Sequence, residues 1–227
     1  YRSFGCAHKV LTYIKTKRPA EAVVIGGGIL GIEMAENFHQ IGLKVTLLIR
    51  KSRLADMLVH ADAGDVISRV MKADGINIRT ECEVAKVIGA NGEVTGVELT
   101  NGELVTAGII GVAVGVKPKT AWIEKSGISC DTGVIGNGNL QTNQENIYAA
   151  GDVALQMVDG KKQRCRTWLT AASQGEYVGR QIGNKNRSDS FRGLYFNASH
   201  IYHSYYGLVG KFDLSASDTV SEQVLYH

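Results

Sequence analysis

The sequence predicts an α/β fold built on a parallel sheet, and three features support that class. A short apolar run, Val23 to Ile25, leads directly into a turn with glycines at positions 26, 28 and 31 and then into a helical segment. A second apolar strand ends at Ile49. Farther along, alternating apolar and polar residues surround two Asn-Gly pairs, which is typical of antiparallel hairpins. Together these features predict a Rossmann-like parallel sheet in which a β-meander replaces one crossover helix.

The other elements follow from hydrophobic spacing and from helix-breaking residues. Apolar residues recur at helical spacing ahead of Pro19, which predicts a lead-in helix before the first strand. After the meander, an apolar strand returns to the sheet and a second region begins with a short helix. A glycine-rich turn at 131–138, a polar linker at 183–190 and strands in the Tyr-rich tail complete the prediction. The predicted helices are 7–15, the segment that ends at 42, 62–74, 120–126 and 168–182, and the predicted strands are 23–25, 43–49, 76–79, 83–88, 94–99, 103–105, 107–114 and 146–150.

The composition fits a globular protein without a nucleic-acid or membrane partner. The chain has 227 residues, 44% of them apolar, and its net charge of +3 is not gathered into a long basic run. It therefore has room for one large domain or two small ones. The small charge does not favour nucleic acid or an anionic membrane, and no run of 18 apolar residues and no signal-peptide pattern occurs.

The cysteines bear on the cellular location of the protein, and the first residue bears on whether the sequence is a piece of a longer one. The four cysteines are scattered without a CxxC pair, which disfavours a disulfide framework and a zinc ribbon. This spacing fits reduced thiols, so we expect a cytoplasmic protein. Because the sequence begins at Tyr1 rather than Met, we expect it to be a piece of a longer protein.

The glycine turn has the residue spacing that a dinucleotide phosphate requires. Gly26 lets the chain reverse, Gly28 removes a Cβ where the pyrophosphate approaches, and Gly31 lets the helix pack closely on the strand. Ile29 and Leu30 complete the turn at the start of the helix, whose free N–H groups and positive dipole end favour anions. The alternative is a tight strand–helix turn that holds no ligand.

The end of the second strand predicts a preference for NADPH over NADH. Rossmann sites commonly place Asp or Glu there, where it accepts hydrogen bonds from the adenosine ribose. Here the strand ends in Ile49, and Arg50, Lys51 and Arg53 follow, with no carboxylate until Asp56. A 2′-phosphate would therefore meet cations and no repulsion. The alternative is that these side chains point into solvent and that the site accepts both cofactors.

Several motifs in fixed order resemble the pyridine nucleotide-disulfide oxidoreductase family, and most closely its rubredoxin, ferredoxin and nitrite reductase-like branch. They are the Gly26 turn, the meander, Val112-Ala-Val-Gly-Val-Lys-Pro118, Gln141-Thr142 and Ile147-Tyr-Ala-Ala-Gly-Asp152. The resemblance implies that the Gly26 turn binds the NAD(P) pyrophosphate. It also implies that Glu33 lies near the nicotinamide and that Gly115 borders the bound NAD(P).

The same resemblance implies part of a flavin site. Gly151 and Asp152 match the motif whose Asp holds the ribitol of FAD, and an acidic side chain can accept such a hydrogen bond. Trp168 resembles the start of the family's helix beside the flavin ring. The alternatives are an ordinary helix N-cap for Asp152 and a core position for Trp168. The family's first flavin-binding half, with its own glycine turn and the acceptor chemistry, would lie upstream of Tyr1.

These inferences divide the chain into a lead-in helix at 1–19, an NAD(P)-binding domain at 20–117, the C-terminal segment of a discontinuous FAD-binding domain at 118–185 and the start of a truncated interface domain at 191–227. They predict a fragment of an FAD-dependent NAD(P)H oxidoreductase that passes electrons to a separate acceptor, with the fragment alone inactive. The alternative is a dinucleotide-binding module without catalytic activity. An apolar face within 119–182 predicts a homodimer.

Other candidate sites have weaker support. Lys161, Lys162, Arg164 and Arg166 form a basic cluster, which is either a solvated loop or a docking surface for an acidic electron-carrier protein. His200 and His203 are spaced as HxxH, but an aromatic strand with two surface histidines explains them better than a metal site. We expect no metal, and no catalytic residue can be named from the sequence.

Overall fold

The computed structural model describes residues 3–55, 61–158, 160–164, 167–183, 190–192, 196–202 and 204–209. They form two compact units. The first unit extends to Gly115 and includes Tyr202 from the tail, and the second begins at Val116. The two units are described separately below.

The first unit contains the glycine turn, the parallel sheet and the meander. Its elements are α1 (Phe4–Lys17), β1 (Glu21–Ile25), α2 (Ile29–Gln40), β2 (Lys44–Leu48), α3 (Ala61–Ala73), β3 (Asn77–Arg79), β4 (Val84–Ala90), β5 (Glu93–Leu99), β6 (Leu104–Thr106) and β7 (Ile109–Val112). Strands β3, β2, β1 and β7 lie in that order in one sheet, and every neighbouring pair is parallel. Strands β4, β5 and β6 form a separate antiparallel sheet. The predicted α/β class, with a meander in place of a crossover helix, is confirmed.

Both faces of the parallel sheet are covered, which explains why its strands are continuous apolar runs. On one face, Val23 of β1 and Leu48 of β2 pack with Val97 and Leu99 of the meander. Helix α2 buries Phe38 and lies against the sheet. It approaches β7 so closely that a Cβ on Gly111 would lie 2.0 Å from Met34 Sδ.

Helix α1 lies on the outside of this unit. The Ser3 side chain accepts a hydrogen bond from the Cys6 N–H at its start, and none of its residues is buried. Tyr13 Oη donates to the Gly108 carbonyl at 2.9 Å, which fixes the helix beside the strand that returns to the sheet. The predicted lead-in helix is confirmed and is longer at both ends.

The two Asn-Gly pairs form different turns. Asn91 and Gly92 have φ of 52° and 78°, as the predicted type I′ hairpin requires. At the second pair only Gly102, with φ of 87°, is left-handed, so type I′ is wrong there. Leu99 N–H donates to Glu103 O and Gly102 N–H to Leu99 O, which encloses a three-residue loop. One extra residue in the loop therefore changes the turn type.

The second unit departs further from the prediction. It contains α4 (Ala121–Glu124), β8 (Val134–Gly136), a 3₁₀ turn (Gly151–Val153), β9 (Ala154–Val158), β10 (Lys161–Arg164) and α5 (Trp168–Gly183). Strand β9 pairs in parallel with β8 and antiparallel with β10. The tail forms a hairpin of β11 (Phe196–Ile201) and β12 (Ser204–Val209), as predicted for that region.

Three predictions for the second unit are wrong. The predicted strand 146–150 is only an isolated bridge between Gln141 and Tyr148, and the strand of that region begins at Ala154. The glycine-rich segment 131–138 contains β8 rather than only a turn. The basic residues from Lys161 to Arg164 form strand β10, not a loop. Of the predicted linker 183–190, residues 184–189 lie outside the described part of the chain.

Candidate functional site

The first and third glycines of the turn are required by how closely the backbone packs. Gly26 has φ of 117°, and a Cβ there would lie 2.3 Å from the Ala113 carbonyl oxygen. A Cβ on Gly31 would lie 1.8 Å from the Gly26 carbonyl oxygen. Contacts this short cannot be made by any residue with a side chain. The helix therefore begins in direct contact with the end of β1.

Gly28 leaves the start of helix α2 open. It is the extended residue before the helix, with φ of −84° and ψ of 178°, and no side chain caps the helix within the described structure. The first N–H groups of a helix lack intrahelical partners and carry the positive end of the dipole. Ile29 is half-buried, and Leu30 is exposed at this end. The turn thus offers backbone donors and no competing side chain to an anionic ligand.

A loop rich in basic residues returns to this turn. Ala55 N–H donates to the Gly27 carbonyl at 2.8 Å, which closes the segment after β2 against the glycines. Arg50, Lys51 and Arg53 are all exposed on that segment. The structure therefore brings the glycine turn and the predicted phosphate-binding cations to the same edge of the sheet, where the parallel strands end.

A carboxylate that the sequence analysis missed lies beside the first of these cations. Glu83 Oε1 is 3.9 Å from Arg50 Nη1, and the two side chains are 57% and 73% exposed. Between the end of β2 and Asp56 the sequence contains no carboxylate, but the segment after β3 brings Glu83 to the same place. Arg50 is consequently not an isolated positive charge.

Glu33 and Gly115 occupy different environments in the same unit. Glu33 is half-buried on α2; burial raises the pKa of its carboxyl, and the nearby charge of Glu36 raises it further. Gly115 is exposed with φ of 99°, a conformation that side chains rarely adopt. It comes two residues after Ala113, whose carbonyl packs against Gly26. The chain therefore passes directly beside the glycine turn just before it reaches Gly115.

The predicted flavin-binding residues lie in the second unit. Gly151 has φ of 78° and begins the 3₁₀ turn, and Asp152 is exposed within that turn. Among the described residues, no hydrogen bond is made by the Asp152 carboxylate, so it can accept one from a polyol. The alternative that Asp152 is a helix N-cap is wrong, because Ala150 occupies the position before the turn.

Gln174 of α5 is a positioning residue that the sequence analysis did not identify. Its buried side-chain Oε1 accepts a hydrogen bond from Gly151 N–H at 2.8 Å. This bond ties helix α5 to the turn that presents Asp152. The sequence gives only a weak signal for this role. A glutamine among the apolar positions of a helix can lie on the surface, or it can be buried and make hydrogen bonds there.

Trp168 begins helix α5 and is 77% exposed. The alternative that it is a core residue is therefore wrong. Thr167, just before it, is buried, and its Oγ1 accepts a hydrogen bond from Thr170 N–H at 3.3 Å. The helix start is thus fixed while the indole remains available to a ligand or partner.

The remaining candidates contribute little to a site. Lys162 forms an ion pair with Asp131, and Arg164 Nη2 donates to the Thr132 carbonyl at 2.6 Å, so two members of the basic cluster have partners within the fold. Arg166, His203 and the side chain of His200 lie outside what the structure describes. The described residues contain no group of three acidic, His or Cys side chains placed to hold a metal ion. No described helix has the length and apolar character needed to span a membrane.

Comparisons with known proteins identify the family. The family model described as pyridine nucleotide-disulphide oxidoreductase matches residues 7–175. A rubredoxin-NAD(+) reductase of Pseudomonas putida is 28% identical over 170 residues, which cover 74% of this chain and 44% of that protein. A CoA-dependent NAD(P)H sulfur oxidoreductase of Pyrococcus abyssi is 32% identical over 176 residues, which cover 76% of this chain and 38% of that protein.

Solved structures show the same fold. A ferredoxin reductase from Rhodopseudomonas palustris superposes with a TM-score of 0.84 at 22% identity, covering 92% of this chain and 51% of that one. The chain thus spans less than half the length of the two curated relatives and about half of that solved structure. The family model, the relatives and the fold agree: the chain belongs to the pyridine nucleotide-disulphide oxidoreductase family.

Proposed function

We propose that this chain is the NAD(P)-binding part, with a segment of the flavin-binding part, of an FAD-dependent NAD(P)H oxidoreductase. Residues 20–117 would form the NAD(P)-binding domain, 118–185 the C-terminal segment of the FAD-binding domain and 191–227 the start of an interface domain. Family membership supports the class of chemistry. The observation that favours the assignment most is the glycine turn, in which the open start of α2 lies beside the basic loop.

The residues present fit the dinucleotide. The contact of Gly31 with Gly26 leaves no room for a Cβ on the inside of the turn, while the outer side presents backbone N–H groups. These groups would hold the pyrophosphate, with Gly115 bordering it and Glu33 at the nicotinamide end. NAD(P)H, when bound, supplies a hydride, and the flavin of the whole protein accepts it. The part of this chain in that chemistry is to bind and orient the cofactors.

For the flavin, the fit is partial. Asp152 presents an exposed carboxylate on a turn fixed by Gln174, which suits a hydrogen bond from a ribitol hydroxyl. Trp168 presents an exposed indole at the start of α5. We infer that these residues form one side of the flavin site of the whole protein.

We infer a preference for NADPH from the cations at the end of β2. A charge-assisted hydrogen bond to a phosphate contributes about 1.5–3 kcal/mol, so one such contact from Arg50 would favour NADPH by roughly ten- to a hundredfold. Lys51 and Arg53 add positive charge on the same exposed segment. A 2′-hydroxyl gains nothing comparable from these side chains.

Calorimetric titration of the chain with NADPH and NADH tests this function. NADPH should bind more tightly than NADH, and Arg50→Ala should weaken NADPH binding at least tenfold while NADH binding stays within about twofold. Lys72→Ala removes a positive charge from the last turn of α3 and serves as the matched control. Equal affinities in the wild type would retire the NADPH preference, and binding of neither dinucleotide would retire the function.

We further propose that the whole protein passes electrons to a carrier protein and works as a cytoplasmic homodimer. The names of two relatives, a rubredoxin reductase and a ferredoxin reductase, support a carrier as acceptor. On this chain the exposed Lys161 of β10 is the candidate contact, since Lys162 and Arg164 already have partners. The second candidate function is a module that binds a dinucleotide without catalysis, and the flavin content of the purified chain distinguishes the two.

A further inference from the structure

We propose that Glu83 is a specificity-determining residue that moderates the preference for NADPH by holding Arg50. This inference rests on the proposed function, because it concerns the same 2′-phosphate. The observation behind it is the Arg50–Glu83 ion pair at 3.9 Å. Glu83 supplies a negative charge beside Arg50 from a neighbouring segment of the fold, although the residues directly after β2 include no carboxylate.

The backbone fixes Glu83 at this position. Cys82 N–H donates to the Ile49 carbonyl at 3.0 Å, so the residue before Glu83 is bound to the residue before Arg50. The Glu83 carbonyl accepts a hydrogen bond from Thr100 N–H at 2.8 Å. Glu83 is thus held on both sides by backbone hydrogen bonds. Its side chain meets Arg50 because backbone hydrogen bonds pair the segment after β3 with the segment after β2.

The pair is weak enough to be broken by a ligand. Both side chains are mostly exposed, and exposed ion pairs shift an equilibrium by only about two- to fivefold. A 2′-phosphate carries more negative charge than a carboxylate and can accept several hydrogen bonds from a guanidinium. It would therefore displace Glu83 from Arg50 and break the Arg50–Glu83 ion pair.

Glu83 acts against NADPH in two ways. Both act through Arg50: Glu83 neutralises part of the charge of Arg50 before the ligand arrives, and the 2′-phosphate must break the ion pair before it can bind the guanidinium. NADH meets neither effect, because its 2′-hydroxyl is neutral. Removing the charge of Glu83 should therefore change the affinity for NADPH and leave the affinity for NADH unaltered.

A double-mutant cycle on the whole chain tests this mechanism. The affinities for NADPH and NADH are measured by calorimetry at low ionic strength for the wild type, Glu83→Gln, Arg50→Ala and the double variant. Glu81→Gln is the matched control, since it removes the same charge two positions away, on an exposed residue whose N–H is bound to the Lys51 carbonyl. Circular dichroism checks that each variant is folded.

We expect Glu83→Gln to tighten NADPH binding by about two- to fivefold, with NADH unchanged and with no gain from Glu81→Gln. The gain should vanish in the Arg50→Ala background and shrink at high salt. If NADPH binds the wild type but Glu83→Gln has no effect, or if its effect persists without Arg50, the inference is wrong while the proposed function stands. Weaker NADH binding by Glu83→Gln would also overturn it, since that result means direct contact with the ribose. If neither dinucleotide binds, the proposed function fails, and the role of Glu83 fails with it.

Discussion

Gly31 of helix α2 lies against the carbonyl of Gly26 so closely that a Cβ on Gly31 would be 1.8 Å from that oxygen. This contact joins the last residue of the glycine turn to its first. It brings the start of the helix onto the end of β1 and aims the free N–H groups of the helix at the edge of the sheet. The geometry that is proposed to bind the dinucleotide phosphates therefore depends on the absence of a Cβ at Gly31.

Gly31→Ala should abolish NADPH binding and destabilise the first unit. The added Cβ has no space, so either the helix or the turn must shift, and overpacking of this kind costs about 1–3 kcal/mol. Chemical denaturation measures the stability and calorimetry the binding. Gly179→Ala is the control. Gly179 lies on α5, where an added Cβ would meet nothing within 4 Å, so this substitution should stabilise the chain by about 0.5–1 kcal/mol. Unchanged stability and binding in Gly31→Ala would contradict this geometry.

Tyr202→Phe should change how stability depends on pH. Tyr202 is buried and its Oη donates to Asp74 Oδ2 at 2.9 Å; burial first, and then this hydrogen bond and the charge of Asp74, raise its pKa above the ordinary value of 10. The unfolded state then ionises before the folded one. The contribution of Tyr202 is therefore complete below pH 10 and is lost as the pH rises towards its folded pKa.

Denaturation curves from pH 7 to pH 11 measure this effect. At pH 7 the free energy of unfolding of the phenylalanine variant should be about 0.5–1.5 kcal/mol lower than that of the wild type, because the variant lacks the hydrogen bond to Asp74. Above pH 10 the difference from the wild type should narrow, because only the wild type loses the contribution of Tyr202. If the stability difference between the variant and the wild type stays constant with pH, the pKa of Tyr202 is not raised in the folded state and the prediction is wrong.

The purified chain should not retain FAD. The sequence contains one GxGxxG turn, at 26–31, and the proposed function assigns it to NAD(P). A dinucleotide is held mainly by such a turn, so Asp152 and Trp168 alone should not hold the flavin through gel filtration. An absorption spectrum after that step provides the measurement. A yellow protein with flavin bands would refute the prediction and favour an active flavoprotein over a simple binding module.

The chain should form dimers or larger species in solution. Trp122 and Trp168 of the second unit are 73% and 77% exposed, and exposed apolar groups of this size promote association. Light scattering coupled to gel filtration should show a shift towards monomer for Trp122→Gln and Trp168→Gln. Lys125→Gln, a change at an exposed polar position of the same unit, should have no effect. A monodisperse wild-type monomer would rule out this association.

The sequence by itself determined the parallel sheet and the glycine turn of the first unit, and with them the family. Parallel strands buried on both faces must be apolar throughout, so β1, β2 and β7 are visible as apolar runs. The glycines at 26 and 31 are equally visible, because only glycine tolerates the contacts that they make. Such features depend on residues that are adjacent in the sequence or spaced at a fixed interval, and a pattern of that kind needs no knowledge of the rest of the fold.

Only the tertiary structure decided which distant residues meet. Strand β10 was missed because its polar residues are held by backbone hydrogen bonds to β9, which almost any side chain permits. Gln174 reaches Gly151, and Glu83 reaches Arg50, across long separations that no periodicity records. A hydrogen bond or an ion pair depends on where two side chains lie in space. That position is set by the pairing of strands and the packing of helices, so it exists only once the chain has folded.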